Sequence, residues 1–134
     1  MATAFIHYQG GLRTTCTHIQ SNTSINTDAP TDNHGKGEAF SPTDLLSTSL
    51  VTCMLTTMGI RAMNESIPFP EAHAEMTKVM AANPRRVSEI IITLKMPKVA
   101  LTAEQKKILE DTALNCPVAK SLSREINQRV QFEY

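Results

Sequence analysis

The run from Pro42 to Met63, "PTDLLSTSLVTCMLTTMGIRAM", constrains this chain more than any other segment. Its start carries three helix signals in a row. Ser41 offers a capping hydroxyl, Pro42 suits the first helical position, and Asp44 lies close to the positive end of the helix. Leu46, Leu50, Cys53 and Thr57 follow 4-3-4 spacing and share a face, while Leu45, Val51, Met54, Leu55 and Met58 widen the apolar surface until it nearly encircles the helix. A helix with so little polar face has to be covered, within its own domain or between subunits. Its most apolar part, Leu45 to Ile60, holds six Ser or Thr residues between Asp44 and Arg61. That falls short of a span of ~20 residues, so no membrane segment is expected.

Short strands are expected on either side. "TAFIHYQ" runs into "GG", "LRTTCTHIQ" into "SN", and "TSINTDA" follows, each break being a hairpin signal. Alternation along the second strand puts Arg13 and Cys16 on opposite faces. Residues 30 to 40, "PTDNHGKGEAF", read as a polar loop; its "HGKG" does not fit a phosphate-loop pattern. After "IPFP", the segments "EAHAEMTKVMA" and "VSEIIITLKMP" read as a longer hairpin, with Ile90, Ile92, Leu94 and Met96 on one face. Thr102 and Gln105 form a capping-box pattern that opens a second helix. Pro117 interrupts it and starts a short third helix with Cys116 as its cap, and "QRVQFEY" alternates as a final strand. The order βββ–α–ββ–α(α)–β predicts an α+β fold with a mainly antiparallel sheet, in one domain over residues 1–134.

Thirteen basic residues balance thirteen acidic ones without a basic run, which argues against a nucleic-acid partner. The N-terminus lacks a cationic segment followed by an apolar run, so a cytoplasmic location is expected. The four histidines, at 7, 18, 34 and 73, form no metal-like spacing, and no metal or cofactor is expected.

Cys16, Cys53 and Cys116 are an odd set with no zinc-ligand spacing, which leaves packing or thiol chemistry. Cys116, at a helix start, has the local electrostatics that favour a thiolate. Cys53 sits about three turns into its helix, where burial alone would make it inert. If Cys53 is reactive, a cation must come from elsewhere: Arg13 is the preferred candidate, with His34, Lys36 and Arg61 as others.

Two motifs together carry a resemblance. "SPTDLLSTSLVTCM" is similar to the first-cysteine helix of the OsmC/Ohr superfamily, the osmotically inducible and organic hydroperoxide resistance proteins, in which a Pro lies eleven residues before the cysteine, as Pro42 does before Cys53. "NCPVAKSL" resembles that family's second-cysteine motif. The resemblance covers essentially the whole chain. It implies an intertwined homodimer, with sheets wrapped around two long central helices and sites at the subunit interface. It also implies a peroxidatic Cys53, a resolving Cys116, and Arg13 of "GGLRTT" facing the reactive thiolate. Where the peroxidase branch carries a Glu immediately after the Pro, this chain has Thr43, followed by Asp44; these two are the candidate supporting residues. The implied activity is reduction of a small organic hydroperoxide through a Cys53–Cys116 disulfide, with an external dithiol reductant. A ligand-binding or redox-sensing protein of the same family without efficient turnover is the alternative.

Overall fold

The strand signals of the N-terminal third close into an antiparallel sheet of order β1-β2-β3, made of Ala4–Gly10, Arg13–His18 and Thr23–Asp28. The first turn is built from Gly10, Gly11 and Leu12, all at positive φ, where the two glycines avoid the steric cost that a Cβ incurs. The computed structural model describes Met1–Tyr134, and the chain divides into two compact units, Met1–Leu46 and Ser47–Tyr134.

In the first unit a 3-10 turn at Thr31–Asn33 leads the chain back along β3. The amides of Gly35 and Gly37 donate to the carbonyls of Pro30 and Ala29, and the Asp28 amide donates to Phe40. A Cβ on Gly35 would lie 1.7 Å from the Ala29 carbonyl oxygen, so only glycine permits this approach. The sheet exposes Phe5 and Tyr8 at 66% and 60%, so it presents apolar surface that this unit does not cover itself.

Helix α1, Pro42–Asn64, begins as expected. Asp44 donates its amide to Ser41 Oγ and accepts from the Ser41 amide, both at 3.0 Å, a reciprocal cap. The buried face is narrower than the sequence suggests. Ser47, Leu50, Val51, Met54, Met58 and Ala62 are buried, whereas Cys53 and Thr57 lie at the edge of that face and are only partly covered. Leu46 at 39%, Ile60 at 50% and Met63 at 74% stay exposed within the chain. With 23 residues, α1 is longer than its most apolar part, and by length and composition alone it would pass as a membrane span, against the sequence expectation. Leu50, Met54 and Met58 are instead fully buried in the protein's own core, as expected of the central helix of a folded domain.

The second sheet has order β4-β5-β6, from His73–Ala81, Arg86–Lys95 and Asn127–Glu133. Strand β5 is central, and Ile90, Ile92 and Leu94 alternate into the core at 0%, 1% and 0% exposure. The register aligns Met76, Ile92 and Val130 across the three strands, and Ala74, Leu94 and Phe132 beside them. These cross-strand rows are what fix the register, because a one-residue slip would turn the apolar set outward. The β1/β2, β2/β3 and β4/β5 pairs are antiparallel, and β5/β6 is parallel. A parallel return needs a crossover, which α2, Ala103–Leu114, and α3, Pro117–Ser121, provide.

Helix α2 carries the expected capping box. The Gln105 amide donates to Thr102 Oγ1 at 3.1 Å, and the Thr102 amide donates to Gln105 Oε1 at 2.9 Å. Thr102→Ala is expected to destabilise the protein by about 1 kcal/mol, read as a lower urea midpoint with unchanged slope. Tyr134 donates its hydroxyl to Glu110 and lies under Lys106 Nζ, 4.5 Å from the ring centroid, tying the chain end to α2.

Candidate functional site

Cys116 and Cys53, far apart in the chain, meet in the second unit. Cys116 ends the α2 segment and caps α3 from an extended backbone, φ −66° and ψ 158°. That conformation turns its sulfur back over the helix start, where the Ala119 amide donates to Sγ at 3.5 Å. The residue is 1% exposed. Cys53 approaches it from α1, packed against the core cluster that includes Cys116 and near enough to shift that thiol's pKa. Neither is in a disulfide.

The electrostatics of Cys116 differ from the sequence expectation. Its pKa is raised above the usual 9.0, first by burial and then by the nearness of Cys53, against the amides of Ala119 and Val118, which pull it down. The reason is one of magnitude: α3 has only 5 residues, so its dipole is small, while desolvation of a fully buried thiolate is large. Cys116 is therefore held as a thiol. The linkage sign follows. Because the folded pKa lies above the unfolded one, the associated stability is present below about pH 9 and is lost as the pH rises through the folded value. Thermal unfolding followed from pH 8 to 10.5 should show a steeper alkaline decline for the native protein than for Cys116→Ala.

A groove of about 390 Å³ opens beside Cys116, lined also by Thr57, Arg61, Ile108, Asp111 and Pro117. Thr57 lies one helical turn beyond Cys53 and donates its hydroxyl to the Cys53 carbonyl at 2.8 Å. Arg61, a further turn on, reaches Glu65 at 3.4 Å.

Arg13 belongs to the first unit. It starts β2 directly opposite Asp28 on β3. Its Nη2 donates to Asp28 Oδ2 and to Glu38 Oε1, both at 3.1 Å. Asp28 is 1% exposed and also accepts the Glu38 amide at 3.0 Å. That amide, then Arg13 and Lys36, holds its carboxyl below the usual range despite the opposing cost of burial. The guanidinium of Arg13 is likewise held charged by Asp28 and Glu38. Asp44, considered for the carboxylate role, spends Oδ2 on the α1 cap, and Thr43 Oγ1 lies 3.3 Å from Ser41 Oγ. His34, at φ 66°, closes the 3-10 turn. Cys16 faces away from Arg13 as alternation requires, with Sγ 3.7 Å from Thr14 Oγ1.

Asp28 and Glu38 were not among the residues the motifs singled out. Asp28 was within reach of sequence reasoning: a hairpin turn at Ile19–Asn22 pairs residue 13 with residue 28, which places an Asp opposite an Arg. Glu38 was not, because its position depends on the fold of the 30–40 loop.

An α+β chain that brings together two free thiols, one on a long helix and one capping the start of a short one, defines a class of cysteine-pair proteins. The OsmC family profile, described as OsmC-like protein, matches residues 35–131, and the chain belongs to this family. It is 54% identical to a Psychrobacter arcticus 273-4 protein of solved structure, named for osmotic stress induction and a detoxification response; the match covers 99% of this chain and 96% of that one, with TM-score 0.94. The fold is shared with the Legionella pneumophila organic hydroperoxide resistance protein OsmC at 15% identity, covering 100% and 98% of the two chains with TM-score 0.74. It is shared equally with OhrB of Bacillus subtilis at 14% identity, covering 98% of each with TM-score 0.72. The chain has no match among curated proteins.

Proposed function

We propose that this protein is a thiol-dependent peroxidase that reduces organic hydroperoxides. The observation that carries the reading is the approach of Cys53, on α1, to the buried Cys116 that starts α3. Membership of the OsmC-like family and the fold shared with organic hydroperoxide resistance proteins support it.

Cys53 Sγ, as the thiolate, attacks the outer oxygen of the hydroperoxide. The O–O bond breaks, the alkoxide leaves with a proton as the alcohol, and Cys53 becomes a sulfenic acid. Cys116 then attacks that sulfur. The S–S bond forms, and hydroxide leaves as water with the proton from Cys116. An external dithiol exchanges with the disulfide and is itself oxidised, which returns both thiols. Arg13 stabilises the Cys53 thiolate. The working unit is a cytoplasmic homodimer in which both parts of the chain form one OsmC-like domain. A second copy covers the apolar surface that α1 leaves at Ile60 and Met63.

The test counts thiols. One equivalent of cumene hydroperoxide without reductant should remove two thiols per chain, and peptide mapping should find a Cys53–Cys116 disulfide. Dithiothreitol should restore both and sustain peroxide consumption. Retention of all three thiols would leave a ligand-binding protein, and a disulfide without turnover would leave a sensor; either result refutes the peroxidase reading.

A further inference from the structure

Arg13 has an unusual hold for a group assigned to a thiolate. Both of its bonds use one nitrogen, Nη2, which is shared between Asp28 and Glu38. A guanidinium has five N–H donors, so Nη1 and Nε lie outside these bonds and form an edge available to another anion. The two carboxylates are not equivalent. Asp28 is 1% exposed, whereas the Glu38 side chain is 61% exposed. Asp28 is fixed by its own backbone, since its amide donates to Phe40 and the next amide, that of Ala29, donates to Leu12 beside Arg13. Its Oδ2 then receives the Glu38 amide and Arg13 Nη2 together.

We infer that Asp28 is the residue that positions Arg13 for its work on Cys53, with Glu38 as a secondary, solvent-side partner; this rests on the proposed role of Arg13. Asp28 anchors the tip of the guanidinium from within the sheet through Nη2 and leaves Nη1 and Nε outside its bond. It also anchors the 30–40 loop that delivers Glu38. The carboxylate that Thr43 cannot supply at the helix start thus comes from the strand beside Arg13.

The sign of one measurement separates positioning from charge balance. If Asp28 served only to neutralise Arg13, Asp28→Asn would strengthen the positive field and shift the pH midpoint of Cys53 alkylation down. If Asp28 positions Arg13, the midpoint shifts up. With cumene hydroperoxide and dithiothreitol, Asp28→Asn should lower kcat/KM by about 10- to 100-fold, the scale set by small misplacements of a catalytic group. Arg13→Gln should do the same, and the double variant should match Arg13→Gln alone within about twofold, as expected of residues acting as a unit. Glu38→Gln should cost about two- to threefold.

A native rate in Arg13→Gln would defeat the proposed role of Arg13 itself. A loss in Arg13→Gln combined with multiplicative losses in the double variant, or with a downward midpoint in Asp28→Asn, would defeat only the assignment of Asp28. If Asp28→Asn does not fold, Glu38→Gln decides the matter: a tenfold or greater loss there would overturn the division between the two carboxylates.

Discussion

Cys53→Ser is expected to bring hydroperoxide consumption down by a factor on the order of 10³ or more, because loss of the nucleophile removes the whole covalent route. The size of the effect depends on Cys116 being unable to take over. Burial and its neighbour keep that sulfur protonated, and at 1% exposure it offers a peroxide little access. Serine is close to cysteine in size, and Cys53 is only partly buried, so the variant should remain folded. Peroxide loss in the presence of dithiothreitol, with circular dichroism as the folding control, makes the check. Full turnover by Cys53→Ser would refute the mechanism.

Cys116→Ser is expected to separate the first chemical step from the cycle. The serine hydroxyl can accept the Ala119 amide as the sulfur does, and Ser is a preferred cap, so α3 should keep its start. The native protein should lose two of its three thiols to one equivalent of peroxide. The variant has two thiols and should lose one, at an undiminished first-turnover rate. Its sulfenic acid then has no partner, and excess peroxide carries it on to the sulfinic acid, which dithiothreitol does not reverse. Mass spectrometry after a peroxide series should show that added mass on Cys53 in the variant and a disulfide in the native protein. A native-like disulfide in Cys116→Ser would place the resolving sulfur at Cys16.

The elements themselves were legible along the chain, because their signals are local. The Ser41–Asp44 and Thr102–Gln105 caps, the Cys116–Pro117 start and the alternation of Ile90, Ile92 and Leu94 each depend on neighbours within a few residues. The opposite facing of Arg13 and Cys16 followed from the two-residue period of a strand. The motifs around Cys53 and Cys116 were also enough to suggest the OsmC-like family to which the chain belongs.

Periodicity could not say which apolar residues of α1 the chain itself would cover. A helix that is apolar nearly all round offers several faces, and only packing chose the one through Leu50, Met54 and Met58. Nor could it rank the burial of a thiol against the pull of a short helix at Cys116, since that balance depends on atoms brought in by distant segments. The partners of Arg13 show the same division. The sequence by itself determined where strands and helices begin, because caps, turns and alternation act over short range. Tertiary structure alone decided that burial outweighs the helix start at Cys116 and which carboxylates hold the arginine, because desolvation and charge act through space between residues the chain keeps far apart.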